Sequence, residues 1–240
     1  MLRGVVWVFP LIAALVAFWF AGSLGAQFLR RRRLYQLIWM LALAMFAIAS
    51  LGVVGGVATG WSRSTFEVYW ALGAVLNVPF LAAGEVLLLF RRPPVAWGVA
   101  LVLVFVTAYT VTVLGAAQVD AAAFGEQLPA GRDVFGAGTP AQRLPQLISI
   151  PSYVVLLAGA LWSAWRMRGR PELKDRFVGT LLVAGGATVV AAGASFSAAG
   201  ALVGFSATLL VGVVLMFWGF VRASRAPSPA GLAAPQLASS

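Results

Sequence analysis

Residues 30–57 read RRRRLYQLIWMLALAMFAIASLGVVGGV, four consecutive arginines followed by 24 positions without a charge. An α-helix rises about 1.5 Å per residue, so roughly 20 apolar residues cross the ~30 Å hydrocarbon core of a bilayer. Inside that core every backbone N–H and C=O must be satisfied within the segment or within a closed barrel. The stretch shows no alternation of polar and apolar positions, which leaves the helix and excludes the barrel strand. The arginines mark where this helix meets water.

Six further stretches have the same character. The expected spans are residues 5–28, 34–57, 67–90, 95–117, 146–165, 177–194 and 199–221. The fold class is therefore all-α: a polytopic integral membrane protein with seven transmembrane helices in one bundle. Hydrophobic residues make up 61% of the chain and charged ones 10%, against about 25% charged in soluble domains. No soluble core hides that much apolar surface, so the lipid bilayer is the first partner. Residues 118–145, with Asp120, Glu126, Pro129, Arg132, Asp133, Pro140 and Arg143, read as a loop. The Pro/Ala/Ser-rich segment 227–240 reads as a disordered tail.

Two other organisations compete. Met1 to Ala26 has the basic start and apolar run of a cleaved leader, but the run is long and four arginines directly after it oppose export. The sixth and seventh spans, separated by a very short turn, could instead form a re-entrant pair. Full-length spans are the preferred reading in both cases.

With these boundaries 13 Lys/Arg fall on one side of the membrane and four (Arg3, Arg63, Arg132, Arg143) on the other. The positive-inside rule then places the C-terminus in the cytoplasm, and an odd number of spans places the N-terminus outside. The expected location is a cell membrane. The Arg-over-Lys bias and the Ala, Gly, Val and Pro excess fit a GC-rich, bacterial source.

Because the arginines sit where orientation requires them, the basic pI signifies topology and not nucleic-acid binding. Anionic headgroups are the alternative partner for these clusters. Cysteine and histidine are both absent, which removes thiolate and imidazole ligands, disulfides and His general bases. No metal or cofactor is expected. An intramembrane hydrolase needs a nucleophile with a base, or paired aspartates at depth; neither is present, and the protein reads as a non-enzyme. Seven spans are also the layout of the rhodopsins, but the sole lysine, Lys174, falls in a loop and cannot hold retinal. Pro145-Gln146 opens the fifth span, and the layout is shared with PQ-loop and sugar-efflux transporters. An internal duplication would superpose Trp19 on Trp162 and Arg33 on Arg176, and the match ends there, so the chain is not assigned to that family.

Glu85 is the one acidic residue well inside a span. With Asn77 and Leu81 it forms an i, i+4, i+8 stripe on the third helix, next to Pro79, which removes an N–H and frees the carbonyl of Val75. Two readings of Glu85 stand: a proton- or cation-coupling carboxylate, or an interfacial ion pair with Arg91 and Arg92 about 9 Å further along the helix. Thr107, Tyr109 and Thr110 form a polar run in the fourth span, where hydroxyls either line a pocket or bond their own i−4 carbonyls. Gln146 and Tyr153 supply polar groups on the fifth. Small residues in the sixth span, among them Gly185, Gly186, Ala187 and Ala191, signify close helix packing, within the bundle or between protomers. The nine tryptophans lie mostly at span ends, as interface belts require.

Two function classes follow. In one, a small or lipidic ligand is bound or moved through a cavity between the third, fourth and fifth spans, lined by Asn77, Glu85, Thr107, Tyr109, Thr110, Gln146 and Tyr153. In the other, the chain is a scaffold or accessory subunit that packs on another membrane protein or on a second copy of itself. The first requires a hollow interior. The second requires a solid one, with a small-residue groove facing lipid.

Overall fold

The computed structural model describes residues 7–125, 128–198 and 201–225. Seven helices are long and apolar enough to cross a membrane: α1 (Val8–Arg31), α2 (Leu34–Thr59), α3 (Arg63–Leu89), α4 (Pro93–Gly115), α5 (Pro140–Met167), α6 (Lys174–Ala198) and α7 (Leu202–Arg225). Among the described residues there is no strand. The chain is a multi-pass α-helical membrane protein, and the sixth and seventh spans are full helices with no re-entrant turn. The segment expected to form a disordered tail, 227–240, lies outside the described residues.

Local chemistry fixes the ends. Arg32 closes α1 in the left-handed region, with φ 50°, and its N–H bonds the Phe28 carbonyl, so that α2 starts after two residues. Ser62 caps α3 through the Thr65 N–H. At the head of α5 the Thr139 hydroxyl accepts from the Gln142 N–H, and Pro140 occupies the first turn, where its missing N–H costs nothing. The fifth helix thus begins six residues earlier than expected.

The helices are arranged as a ring. Going round it, α1 packs on α2, α2 on α3, α3 on α5, α5 on α6, α6 on α7, and α7 returns to α1. α4 stands outside, held mainly by α3, and shows Trp97, Leu101, Val104, Phe105 and Val111 to lipid. The fourth span is therefore a buttress. None of its residues lines the cavity that the ring encloses.

The tightest seam joins α6 to α7. Gly179, Gly186 and Gly193 recur every seven residues on α6, and Gly212 and Gly219 every seven on α7. The helices run antiparallel, which sets Gly186 against Gly212 and Gly179 against Gly219: a Cβ on either α6 glycine would come 2.5 Å from the facing glycine's carbonyl oxygen. Without side chains between them, the backbones meet directly. Of the small residues expected to pack the sixth span, Gly186 is used inside the bundle, while Gly185 and Ala191 are exposed.

The described residues of the connection, expected to be either a plain loop or a cover for the outer mouth, form a cap. Short helical segments at Ala121–Gly125 and Gly131–Phe135 fold over the end of the ring, the Asp120 N–H bonds the Val134 carbonyl, and Leu128, Val134 and Phe135 are buried. Phe135 joins Phe66 and Trp70 of α3 in an aromatic cluster with centroid distances of 5.6–5.8 Å.

The glycine seam makes a sharp prediction. Gly186→Leu or Gly212→Leu should lower stability by about 1–3 kcal/mol or more, as overpacking of a tight interface does. Gly185→Leu, one position away where an added Cβ meets nothing within 4 Å, should leave it unchanged. Thermal unfolding of the detergent-solubilised variants reads the difference, and equal effects at Gly185 and Gly186 would contradict the seam.

Candidate functional site

The ring encloses a cavity of about 480 Å³ in the half of the bundle capped by the loop. Its walls come from α2 (Phe46, Ser50, Val53), α3 (Tyr69, Trp70, Gly73, Asn77), α5 (Gln146, Ser149, Tyr153), α6 (Ala187, Val190) and α7 (Phe205, Leu209, Val213). Leu43, Leu156 and Met216 form the cavity's floor and pack with Phe20, Leu24 and Ala82 across the ring in the other half. Glycine and alanine at Ala49, Gly73, Ala74, Ala187 and Ala194 leave the space.

Two irregular turns shape the chamber. α3 passes through a π-turn at Trp70–Leu76 and α5 through one at Pro145–Ser149, and the two face each other. Each lies beside a proline, and each proline strips a donor from its own helix. Pro79 cannot donate to the carbonyl of Val75 four residues back or to that of Ala74 five back. The Ser149 hydroxyl, from α5, reaches both, at 3.0 and 2.7 Å. Pro145 cannot donate to Ala141, and the Trp70 indole, from α3, takes that carbonyl at 3.1 Å. The Val75 carbonyl, which the sequence marks as losing the Pro79 donor, accepts the Ser149 hydroxyl of the neighbouring helix.

The polar residues singled out from the sequence separate. Asn77 is buried at 5% exposure and lines the cavity; no group among the described residues bonds its amide. Tyr153 lines it too, with its hydroxyl 2.8 Å from that of Thr188, which donates to the Ala184 carbonyl. Gln146 lines it with its amide nitrogen toward the carbonyls of Gln142 and Arg143 at 3.1 and 3.0 Å. The others are elsewhere. Thr110 is fully buried and donates to Val106 in its own helix, Tyr109 stacks on Phe105 on the outer surface of α4, and Thr107 is half-buried on that helix and not in the lining.

Glu85 departs furthest from expectation. It lies in the packed half and not on the cavity, against Gly159 of α5, where an added Cβ would fall 2.6 Å from its Cγ. Its Oε1 is buried without a partner, and among the described residues it forms no ion pair with Arg91 or Arg92. The stripe Asn77–Leu81–Glu85 therefore contributes its first two members to the site. The helix turns the third toward α5.

Residues the sequence did not suggest complete the site. Ser50, buried at 2% exposure, lines the wall from α2. The hydroxyls of Tyr69 and Ser197, 3.3 Å apart, bridge α3 to α6. The exposed lining residues are Arg132 on the cap, Gln146 and Ile150 on α5, and Ala191, Ala194 and Ser195 on α6. The cavity thus opens between α5 and α6 beside the cap, with exposed Arg132 at the cap side and the Tyr153–Thr188 bond on the other. Compared with protein-family models, with curated proteins and with solved structures, the chain matches none.

The crossed bonds can be tested as cycles. Ser149→Ala and Trp70→Phe should each cost about 1–3 kcal/mol by leaving buried carbonyls unsatisfied. Ser149→Ala in a Pro79→Ala background, and Trp70→Phe in a Pro145→Ala background, should cost less by about 1 kcal/mol, because the helix regains its own donor. Additive losses in denaturation midpoints would refute the pairing.

Proposed function

We propose that this protein binds a small, predominantly apolar ligand bearing a hydrogen-bonding group, taken from the bilayer through the gap between α5 and α6. One observation carries the reading: a buried asparagine amide without a partner, set in an apolar cavity. Buried polar groups are bonded in the great majority of cases, and cavities of 300–1,000 Å³ with apolar walls and a few placed polar groups are the ordinary form of small-molecule sites. Asn77 offers both donor and acceptor, and Ser50 a hydroxyl.

The chemistry of the wall favours binding over catalysis. The hydroxyls of Tyr69, Ser149 and Tyr153 are engaged with Ser197, with backbone carbonyls and with Thr188, and the acid Glu85 is outside the cavity. A scaffold role fits less well, because the interior is hollow and the glycines Gly179, Gly186 and Gly193 of α6 face α7. Coupled transport would require a path through the packed half. The lateral opening supports uptake from lipid.

Photolabelling in proteoliposomes tests this reading, using a long-chain alcohol carrying a diazirine and the corresponding hydrocarbon. The alcohol should mark cavity residues such as Leu209 and Val213, Asn77→Leu should lower that labelling about tenfold, the worth of one buried hydrogen bond, and Ala194→Trp should obstruct entry. Labelling confined to outward faces such as α4, unchanged by Asn77→Leu, would reject it.

We also infer that the capped end of the bundle is extracytoplasmic, supported by the 13-to-four partition of Lys/Arg between the two ends. The absence of cysteine makes the test direct. In intact cells a membrane-impermeant maleimide should label Ala121→Cys and spare Gly169→Cys; the reverse pattern would invert the orientation.

A further inference from the structure

At the arginine-rich end, on the lipid-facing side, a second concavity of about 580 Å³ lies where α2 begins and α3 turns into α4. Arg33, Arg91 and Arg92 stand around it, and Tyr35, Leu87 and Trp97 form its floor and side. Such convergence is more than topology demands, since orientation requires positive charge at this end but not on one groove. Among the described residues, none of the three guanidinium groups meets a carboxylate. Glu85, the nearest acid in sequence, is turned to α5.

A further feature points to an anion. α2 starts at the rim of the groove and no side chain caps its first turn; the Gln36 N–H bonds the Arg33 carbonyl, which leaves the N–H groups of Leu34 and Tyr35 and the positive end of the helix dipole for a ligand. Three planar, multiply donating cations beside an open helix N-terminus match the oxygens of a phosphate. The rest of the groove is apolar and runs from the charged rim along Trp97 and Ala100, both exposed to lipid. A soluble phosphate has no use for that surface. An acyl chain does.

We propose that this groove binds an anionic phospholipid, its phosphodiester held by Arg33, Arg91, Arg92 and the first turn of α2, and one acyl chain laid along Trp97 and Ala100. The site is independent of the cavity, and lies at the opposite end of the bundle.

Native mass spectrometry of the detergent-solubilised protein, with phosphatidylglycerol or phosphatidylcholine added, tests this. Phosphatidylglycerol should be retained at least about tenfold more strongly. Replacing Arg33, Arg91 and Arg92 together by Gln should remove about a hundredfold, at roughly fivefold per arginine near a membrane surface. The same replacement of Arg166, Arg168 and Arg170, also at the arginine-rich end, should change retention less than twofold. Ala100→Trp keeps every charge and fills the apolar part, and should cost about tenfold, with unaltered thermal unfolding showing that the bundle is intact. Equal retention of the two lipids, equal loss in the two arginine variants, retention unaffected by Ala100→Trp, or displacement by millimolar inorganic phosphate would each overturn the proposal.

Discussion

A backbone carbonyl in hydrocarbon has no water to turn to, and the arrangement of this bundle follows from how three such carbonyls are satisfied. Pro79 lacks the one N–H that could reach Val75 or Ala74, Pro145 lacks the one that could reach Ala141, and each helix repairs the other: the Ser149 hydroxyl bonds Val75 and Ala74, and the Trp70 indole bonds Ala141. Unsatisfied, each group would cost several kcal/mol at that depth. The pairing therefore fixes the register of α3 against α5 more firmly than apolar contact can, since lipid tails compete on equal terms with apolar side chains. It also holds two π-turns face to face. A π-turn widens a helix locally, and two opposed ones beside Gly73 and Ala74 produce a chamber where two regular helices would close.

The remaining helices adapt to that hinge. Glycines seven residues apart bring α6 and α7 into backbone contact, so those two behave as one slab. Aromatic and aliphatic side chains from α1, α2, α3, α5, α6 and α7 fill the arginine-rich half. Tight packing there and an open chamber at the capped end are two consequences of one ring. The cap closes the open end by inserting Phe135 against Trp70, the residue that also supplies an indole N–H to α5. Cap, cavity and helix register thus share a side chain.

Much of this is legible in the sequence, for reasons that can be named. Runs without charge identify the seven spans, because the cost of a charge in lipid is large and local. Pro79 identifies the freed Val75 carbonyl, because proline's missing N–H is a covalent fact. Its repair by Ser149 was not legible: the partner lies far along the chain, and several hydroxyls would have served. Glu85 and Thr110 misled for a related reason. Helical spacing places Glu85 on the stripe of Asn77, but the stripe is wider than the cavity, and neighbouring helices decide where the wall ends. Thr110 sits among hydroxyls, yet its helix lies outside the ring, which no periodicity on that helix reveals. The glycine seam was visible all along at a spacing of seven; a search for pairs four apart passes over it.

On the proposed reading as a ligand-binding protein, the position of the opening bears on what the cavity would select. A ligand arriving from water gains about 25 cal/mol for each Å² of apolar surface it buries, and an apolar pocket then binds almost any apolar molecule. A ligand arriving sideways from lipid gains nothing of the kind, because it leaves hydrocarbon for hydrocarbon. What distinguishes one lipid-borne molecule from another is then the shape of the wall and the polar groups in it. An amide such as that of Asn77, unbonded within the fold, is worth more in this setting than in a water-facing site: a ligand that satisfies it gains a hydrogen bond that neither partner had in lipid. The single asparagine at mid-cavity is consequently where specificity should reside, with Val190, Phe205 and Leu209 setting the shape around it.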